Sequence, residues 1–501
     1  MTRDLRLLMP AAAGWLTVTL VLIAPTALGV SLTGALTAGA AVGLAVMTRP
    51  GRRTVAATLA GACGLCAAAG AVTVLRVVAA EQSPVREIAG KTAVTVRVTG
   101  DPLYFGGPGE SGGRLRLPVR IEAVAGRAVT GVPASLQAAA DELPDPLPGQ
   151  RLSAVVRVRP PDGGAAQRLQ AARLTVAGPV RVAGAAPVWQ RAAGAVRARL
   201  VRTAAVALGE REAGLLPGLV LGDTSGLDPV LREHFRAAGL THLTAVSGAN
   251  FSLVIGAVVL GLRLCGASTR VTVVLGLIAV AGFVVLVRPT DSVLRAAVMG
   301  SVGLLGALAQ RRSQALPALG AAIAAIMLVW PQMALTPGFA LSVVATLGLV
   351  LWAAPIRRWL TRRRLPEPLA VLVAMALAAQ ILTTPLIIAI SDRVSLVSLP
   401  ANLLVAPVVG IIGLLGTLAA VLGPLGPPTG LPSLVAELLL RAAGPEMWWL
   451  VECAQRLGSP GWAAPEVPGW QAAGVLTLAG LAGWAAWRSH VSRADSRADR
   501  S

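Results

Sequence analysis

The chain has 501 residues, 55% of them hydrophobic and 14% charged, with a formal net charge of +20. Soluble domains carry about 25% charged residues, so a soluble enzyme is a poor fit, and the apolar content is far too high for a disordered or fibrous chain. Runs of the roughly 20 apolar residues that cross a bilayer recur throughout. Membrane proteins gather basic residues in cytoplasmic loops, which accounts for most of the positive excess without nucleic acid or anionic lipid.

The N-terminal stretch Thr2–Leu8 carries Arg3 and Arg6 and leads into apolar residues from Met9 to Met47. A basic start before an apolar core has the look of a secretory signal. The continuation through Gly29 into a second apolar run, closed by Arg49, Arg52 and Arg53, predicts instead a tight pair of membrane segments, followed by a third over about 55–79. The four cysteines, Cys63, Cys66, Cys265 and Cys453, all lie in or beside apolar segments. Cys63 and Cys66 form a C-x-x-C, but on a membrane helix, where small buried residues are the expected reading rather than a redox or metal site.

Residues 84–185 change character. Pro, Gly and charge rise, and Arg114 to Glu122 alternates apolar and polar with period two. That period marks a half-buried strand, and Pro118 places it at a sheet edge. Thr92–Val98, Arg151–Arg159 and Arg173–Val182 read the same way. Four or five short strands with Gly/Pro turns in about 100 residues predict a small barrel or sandwich. The region holds thirteen Arg or Lys against eight Asp or Glu, and its only aromatic residues are Tyr104 and Phe105.

Residues Val188–Leu208 place Arg191, Arg197, Arg199 and Arg202 among Ala, Val and Leu, the pattern of an amphipathic helix lying on a membrane. Beyond Ala245 the apolar runs return, with spans expected near 244–262, 271–287, 293–309, 315–330, 338–354, 369–390, 397–420, 433–453 and 470–487. A cytoplasmic start puts Arg49, Arg52, Arg53, Arg263, Arg270, Arg311, Arg312, the run Arg357–Arg364 and the tail arginines inside. Only Arg288, Arg393 and Arg456 then fall in short outer loops, and the β region lies outside.

The densest polar stretch among the spans runs from Gly222-Asp223-Thr224-Ser225-Gly226 through Asp228-Pro229 and Arg232 to His242, Ser247 and Asn250. Asp228 followed by Pro229 is a helix-start signature. His242, Ser247 and Asn250 sit at the mouth of a span, where polar groups are costly unless they face protein or water.

The run Leu221–Asn250 resembles the core signature of the ComEC family of bacterial competence proteins. Further matches follow in order: Arg295-Ala296-Ala297-Val298-Met299, then Leu335-Thr336-Pro337-Gly338-Phe339-Ala340-Leu341-Ser342, then Ser395–Pro407 with Pro400-Ala401-Asn402-Leu403-Leu404. The resemblance covers about residues 215–410. It implies a channel that passes single-stranded DNA across the cytoplasmic membrane during transformation. It also implies that the outer domain is OB-like, a fold that binds single strands through a basic groove and stacking aromatics. The longest family members carry a C-terminal metallo-β-lactamase-like domain. This sequence ends at Ser501 and has only His234, His242 and His490, so no metal-hydrolase site is expected.

The expectation is thus a polytopic α-helical membrane protein of about 11–12 spans with an inserted extracytoplasmic small β-barrel, OB-like. Its parts are N-terminal membrane segments over 1–83, the β domain over 84–185, an amphipathic helix and polar turn over 186–240, the multi-span channel over 241–488 and a basic cytoplasmic tail over 489–501. The DNA path is expected at Asp223, Arg232, His242, Ser247, Asn250, Arg295 and Asn402. Outer-domain contacts are expected at Tyr104, Phe105, Arg114, Arg116, Arg157 and Arg159. Each has a structural alternative: Asp223 as a turn residue, Arg295 paired with Asp291 one turn earlier, Asn402 bonded between helices, and Tyr104 and Phe105 as a packed loop tip.

No cofactor, metal or catalytic group is expected. No G-x-x-x-x-G-K-[ST] is present and the sole lysine is Lys91, so a partner motor or a DNA-capturing protein inside, with a receptor outside, would supply direction. Two other readings are a secondary transporter, which predicts repeats and broken helices, and a nuclease built on Asp141, Glu142 and Asp145.

Overall fold

The computed structural model describes residues 5–46, 53–88, 90–105, 114–139, 142–143, 146–244, 246, 248–308, 314–427, 429–469, 471 and 474. They divide into two compact units. One comprises Met1–Pro229, Ala245–Phe339 and Gly413–Gly444; the other comprises Val230–Thr244, Ala340–Ile412 and Pro445–Ser501.

The first unit opens with α1 (Leu8–Ile23), α2 (Thr26–Val46) and α3 (Arg53–Glu81), the three expected membrane segments. Small residues let α2 and α3 approach closely: a Cβ on Gly43 would stand 2.9 Å from that of Ala60. Seven strands follow: β1 (Gly90–Val98), β2 (Leu103–Phe105), β3 (Arg114–Val124), β4 (Arg127–Ala139), β5 (Arg151–Arg159), β6 (Ala172–Val176) and β7 (Arg181–Gly184).

Five of these strands close on themselves. β1 pairs with both β3 and β5, β3 with β4, β4 with β6 in parallel, and β6 with β5. This is a small closed barrel of the OB kind, in which closure removes exposed edges. Alternation drives it: Leu115, Leu117, Val119 and Ile121 are buried inside while Arg114 and Arg120 stand outside. The β3–β4 hairpin turns on Ala125 and Gly126, both at positive φ, as a tight two-residue turn requires.

Two strand expectations change. β3 is an interior strand, not an edge. It pairs with β1 through residues 119–124 and with β2 through residues 114–116, and Pro118 sits in the gap between those neighbours. Its carbonyl accepts from Thr99 N at 2.9 Å, so the missing N–H faces the side where no ladder bond is needed. The run 173–182 is two strands, β6 and β7, separated at Gly178–Pro179.

Beyond the barrel come α4 (Val188–Ala207), α5 (Glu210–Leu221), α7 (Gly248–Leu264), α8 (Thr269–Val287), α9 (Asp291–Leu308), α10 (Ala315–Val329) and α15 (Leu431–Ala442). Along α4 the buried residues Ala193, Arg197, Leu200 and Ala204 repeat every three or four positions. That stripe packs on α5, α8 and α15.

The second unit holds α6 (Pro229–Ala237), α12 (Ala354–Arg362), α13 (Glu367–Ser391) and most of α16 (Gly444–Gly458). α11 (Pro337–Gly348) and α14 (Ser398–Leu422) each have several residues in both units. α11 continues through a π turn at Leu349–Ala353 into α12, giving one apolar helix over Pro337–Arg362. Pro355 lacks the N–H that would close the ladder there, a recognised cause of such a bulge.

Seven helices among the described residues are long and apolar enough to cross a membrane, and α1, α7 and α10 are shorter apolar helices. The protein is therefore a multi-pass helical membrane protein carrying a small barrel. The span expected over 433–453 is instead two short helices, α15 and α16, broken at Ala443–Gly444. They carry Glu437, Arg441, Glu446, Glu452 and Arg456, so neither length nor polarity suits a crossing. The span expected over 470–487 lies outside the described residues apart from 471 and 474.

Candidate functional site

The polar turn after α5 is built by a change of backbone hand. Gly222 ends the helix in the left-handed region at φ +74°, a conformation that favours glycine. The next residue, Asp223, takes Ser225 Oγ at 2.6 Å on Oδ1, closing the turn. Its Oδ2 lies 3.5 Å from Arg197 Nη2.

Arg197 is 8% exposed. Its Nη1 donates to the carbonyl oxygens of Leu221 at 2.7 Å and Leu286 at 3.4 Å, and its Nη2 is 3.6 Å from Asp101 Oδ2. Asp101, on the β1–β2 loop, also lies 3.3 Å from Arg288 Nε, and Arg288 Nη1 donates to Gln190 Oε1 at 3.2 Å. Arg288 follows α8 at φ +76°, and burial pushes its guanidinium pKa down while Asp101 opposes that shift. Two arginines and two aspartates thus tie the barrel, α4, the α5 turn and the end of α8 into one charge-balanced cluster. Of its members only Asp223 was expected at a site. Arg197 read as part of an amphipathic face, Arg288 as a topological charge, and Asp101 was not singled out.

A second tie holds the barrel. Arg168, in the β5–β6 loop, donates to the carbonyl oxygens of Leu22 at 3.2 Å and Val21 at 3.3 Å and also to that of Ala24, all at the C-terminal end of α1. Its other nitrogen meets Thr26 Oγ1 at 2.7 Å and Glu81 Oε1 at 2.9 Å. A cation against the last carbonyls of a helix also meets the negative end of its dipole.

Asn250 lies in the first turn of α7, buried, with Nδ2 donating to the Leu219 carbonyl at 2.7 Å. A Cβ on Gly413 of α14 would stand 2.6 Å from Asn250 Oδ1, so α5, α7 and α14 meet at this amide. Arg295 on α9 reaches beside Gly248 and places Nη1 3.6 Å from Met299 Sδ. The Asp291 carboxylate hydrogen-bonds the Thr336 side chain and the Phe339 backbone. Gly338 permits this, since a Cβ there would stand 2.6 Å from Asp291 Oδ2. The Pro337-Gly338-Phe339 helix start is thereby joined to the arginine-bearing span.

The remaining path candidates belong to the other unit. Arg232 is exposed on α6, and His242 is exposed in the short turn Thr241–Leu243. Asn402 Nδ2 donates to the Ser398 carbonyl at 2.8 Å within its own helix, rather than between helices. Asp223, Asn250 and Arg295 are brought into one unit; Arg232, His242 and Asn402 lie in the second. Ser247 lies outside the described residues.

On the barrel, strand register places Lys91 beside Arg157, Arg157 beside Thr175, and Arg159 beside Arg173. Lys91, Arg157 and Arg159 are exposed, as is Arg114. Arg116, across β4, is half-buried. β2 sets Phe105 opposite Arg114 and Tyr104 opposite Leu115; the side chains of Tyr104 and Phe105 lie outside the description. Basic residues therefore step from Lys91 on β1 to Arg157 on β5, two residues along β5 to Arg159, and across to Arg173 on β6, while Arg157 itself faces Thr175. No group of three or more potential metal-ligating side chains occurs among the described residues, while Asp141 and Asp145 fall outside them.

The profile of a family described as Competence protein matches residues 219–491. It begins at the end of α5 and takes in Asp223, Asn250, Arg295 and Asn402. ComE operon protein 3 of Bacillus subtilis (strain 168) is 25% identical over 194 residues, which cover 39% of this chain and 24% of that protein. The chain thus aligns with about a quarter of that relative's length. No solved structure matches. With more than half of the chain inside the family profile, the chain belongs to the competence protein family.

Proposed function

We propose that this protein passes single-stranded DNA across the cytoplasmic membrane during DNA uptake, without an enzymatic step of its own. Family membership supports a role in competence, and transport of DNA is the reading the geometry favours. The observation that carries it is the stepped run of basic residues Lys91, Arg157, Arg159 and Arg173 across β1, β5 and β6 of an OB-type barrel. Such barrels bind single strands through cationic grooves, and this one is tied by Asp101 and Arg168 to the membrane helices of the same unit. Basic-residue distribution supports an extracytoplasmic barrel. The strand would then move from the barrel toward Asp223, Asn250 and Arg295, drawn by a partner inside.

The test is uptake of labelled DNA by cells with and without the gene, after surface DNA is removed by nuclease. Cells lacking the gene are expected to bind DNA but internalise none, with wild-type protein restoring uptake and Arg295→Ala failing to do so. Normal uptake without the gene would refute the proposal.

A further inference from the structure

Two acidic side chains on the barrel each hold a pair of arginines. Glu122 takes Arg97 and Arg151 among β1, β3 and β5. Asp162 takes Arg116 at 3.4 Å and also Arg173. The two clusters sit in different places. OB barrels grip oligonucleotides on the face of their second and third strands and on the loops joining the first to the second and the fourth to the fifth. In this barrel those are β3 and β4, with the β1–β2 loop and residues 160–171 among the connecting segments. Arg116 is on β3 and Asp162 is on the second of those loops, so this cluster lies on the face where a strand would bind. Glu122 does not.

The register explains how one carboxylate reaches both cations. Arg116 stands opposite Gln137 and Arg173 opposite Ser135, so β4 separates them in the sheet and both reach the one Asp162 carboxylate. Arg173 meets Asp162 through Nη1, while its Nε is buried and donates to no described group. Arg159 lies directly beside Arg173 in register, joining the pair to the exposed basic row. A carboxylate and a phosphodiester each carry one negative charge and two terminal oxygens. Arginine forks accept either with the same parallel donors.

We propose that Arg116 and Arg173 form a phosphate site for the backbone of a single DNA strand, and that Asp162 is its built-in competitor. The inference rests on the DNA reading above and deepens it. Asp162 keeps the two arginines ordered when no strand is present, and a phosphate exchanges with it when one arrives. Exchange costs an internal ion pair at each binding event. The site therefore holds DNA more weakly than two bare arginines would, which suits a surface that must release the strand onward.

The test uses the full chain in nanodiscs of zwitterionic lipid and a fluorescent single-stranded oligonucleotide of about 20 nucleotides, titrated at several salt concentrations. Removing one negative charge within about 6 Å of a bound phosphate at a partly exposed site should tighten binding about three- to tenfold. So Asp162→Asn should bind that much tighter, Asp162→Glu should match wild type, and adding Arg173→Gln to Asp162→Asn should erase the gain. The salt slope of Asp162→Asn should steepen by up to about 0.7, the share of one phosphate in a single strand.

Independently of any variant, saturating oligonucleotide should shield Arg116 and Arg173 of the wild type from an arginine-modifying reagent. Unchanged modification overturns the site whatever the variants do. Binding that falls with Arg157→Gln and Arg159→Gln but ignores Asp162→Asn leaves DNA binding standing and refutes only this site. A gain or shielding seen only with anionic-lipid nanodiscs and no oligonucleotide assigns the fork to a lipid headgroup instead. No oligonucleotide binding by any form overturns both this inference and the reading it rests on.

Discussion

Removing the Asp101 carboxylate as Asp101→Asn tests whether the arginine–aspartate cluster holds the barrel to the helical region. In wild type Asp101 lies 3.6 Å from Arg197 and 3.3 Å from Arg288. At these separations and an effective dielectric near 20, each pair is attracted by about 4–5 kcal/mol before desolvation is charged against it. Asp101 is about one-third exposed, which screens much of that, and desolvation of the two buried arginines offsets more. A net loss of about 1–3 kcal/mol is expected for Asp101→Asn.

The assay is native-state hydrogen exchange on the full chain in nanodiscs, read at the amides of residues 99–105 and 188–200. A loss of this size should speed local opening there about 5- to 150-fold. Arg288→Gln should do the same, and the double variant should exchange little faster than either single, giving a coupling of about 1–2 kcal/mol. Strictly additive effects, or unchanged exchange in the β1–β2 loop, would refute the idea that these charges dock the barrel.

Two further outcomes follow from close contacts. Gly348→Ala places a methyl 2.2 Å from the Ala378 carbonyl oxygen, and backbone cannot yield as a side chain can. A destabilisation of about 1–3 kcal/mol is expected, seen as a lower thermal midpoint in detergent. Asn250→Leu removes the donor to the Leu219 carbonyl and crowds Gly413. It should cost about 1–3 kcal/mol and lower the amount of folded protein recovered from membranes, whereas Asn250→Ser should be milder.

The barrel was legible because its signal is local. Each strand alternates with period two, and a closed sheet of five short strands needs little more than that pattern and its turns. Closure itself, and the parallel β4–β6 pairing, were not visible, since register between strands far apart in sequence leaves no local mark. Pro118 shows the limit well. Its edge-strand signature was correct in chemistry, because its missing N–H needs an empty neighbour. The vacancy, however, is a gap between β1 and β2 on an interior strand. The expected span over 433–453 failed for a related reason: its average hydropathy hid a break at Gly444 and four ionisable groups, Glu437, Arg441, Glu446 and Glu452, carried on two short helices.

By itself the sequence determined that the chain crosses a membrane several times, that a β domain interrupts the helices, and that polar residues gather after α5. Runs of apolar residues and period-two alternation are consequences of the solvent each segment meets, and each can be read within about twenty residues. Tertiary structure decided which charges act together. Asp101, Arg197, Asp223 and Arg288 come from four elements, and Arg116, Asp162 and Arg173 from three. Nothing in local spacing distinguishes these arginines from the others that mark topology. An ion pair is a property of distance in space, and only folding brings its members within reach.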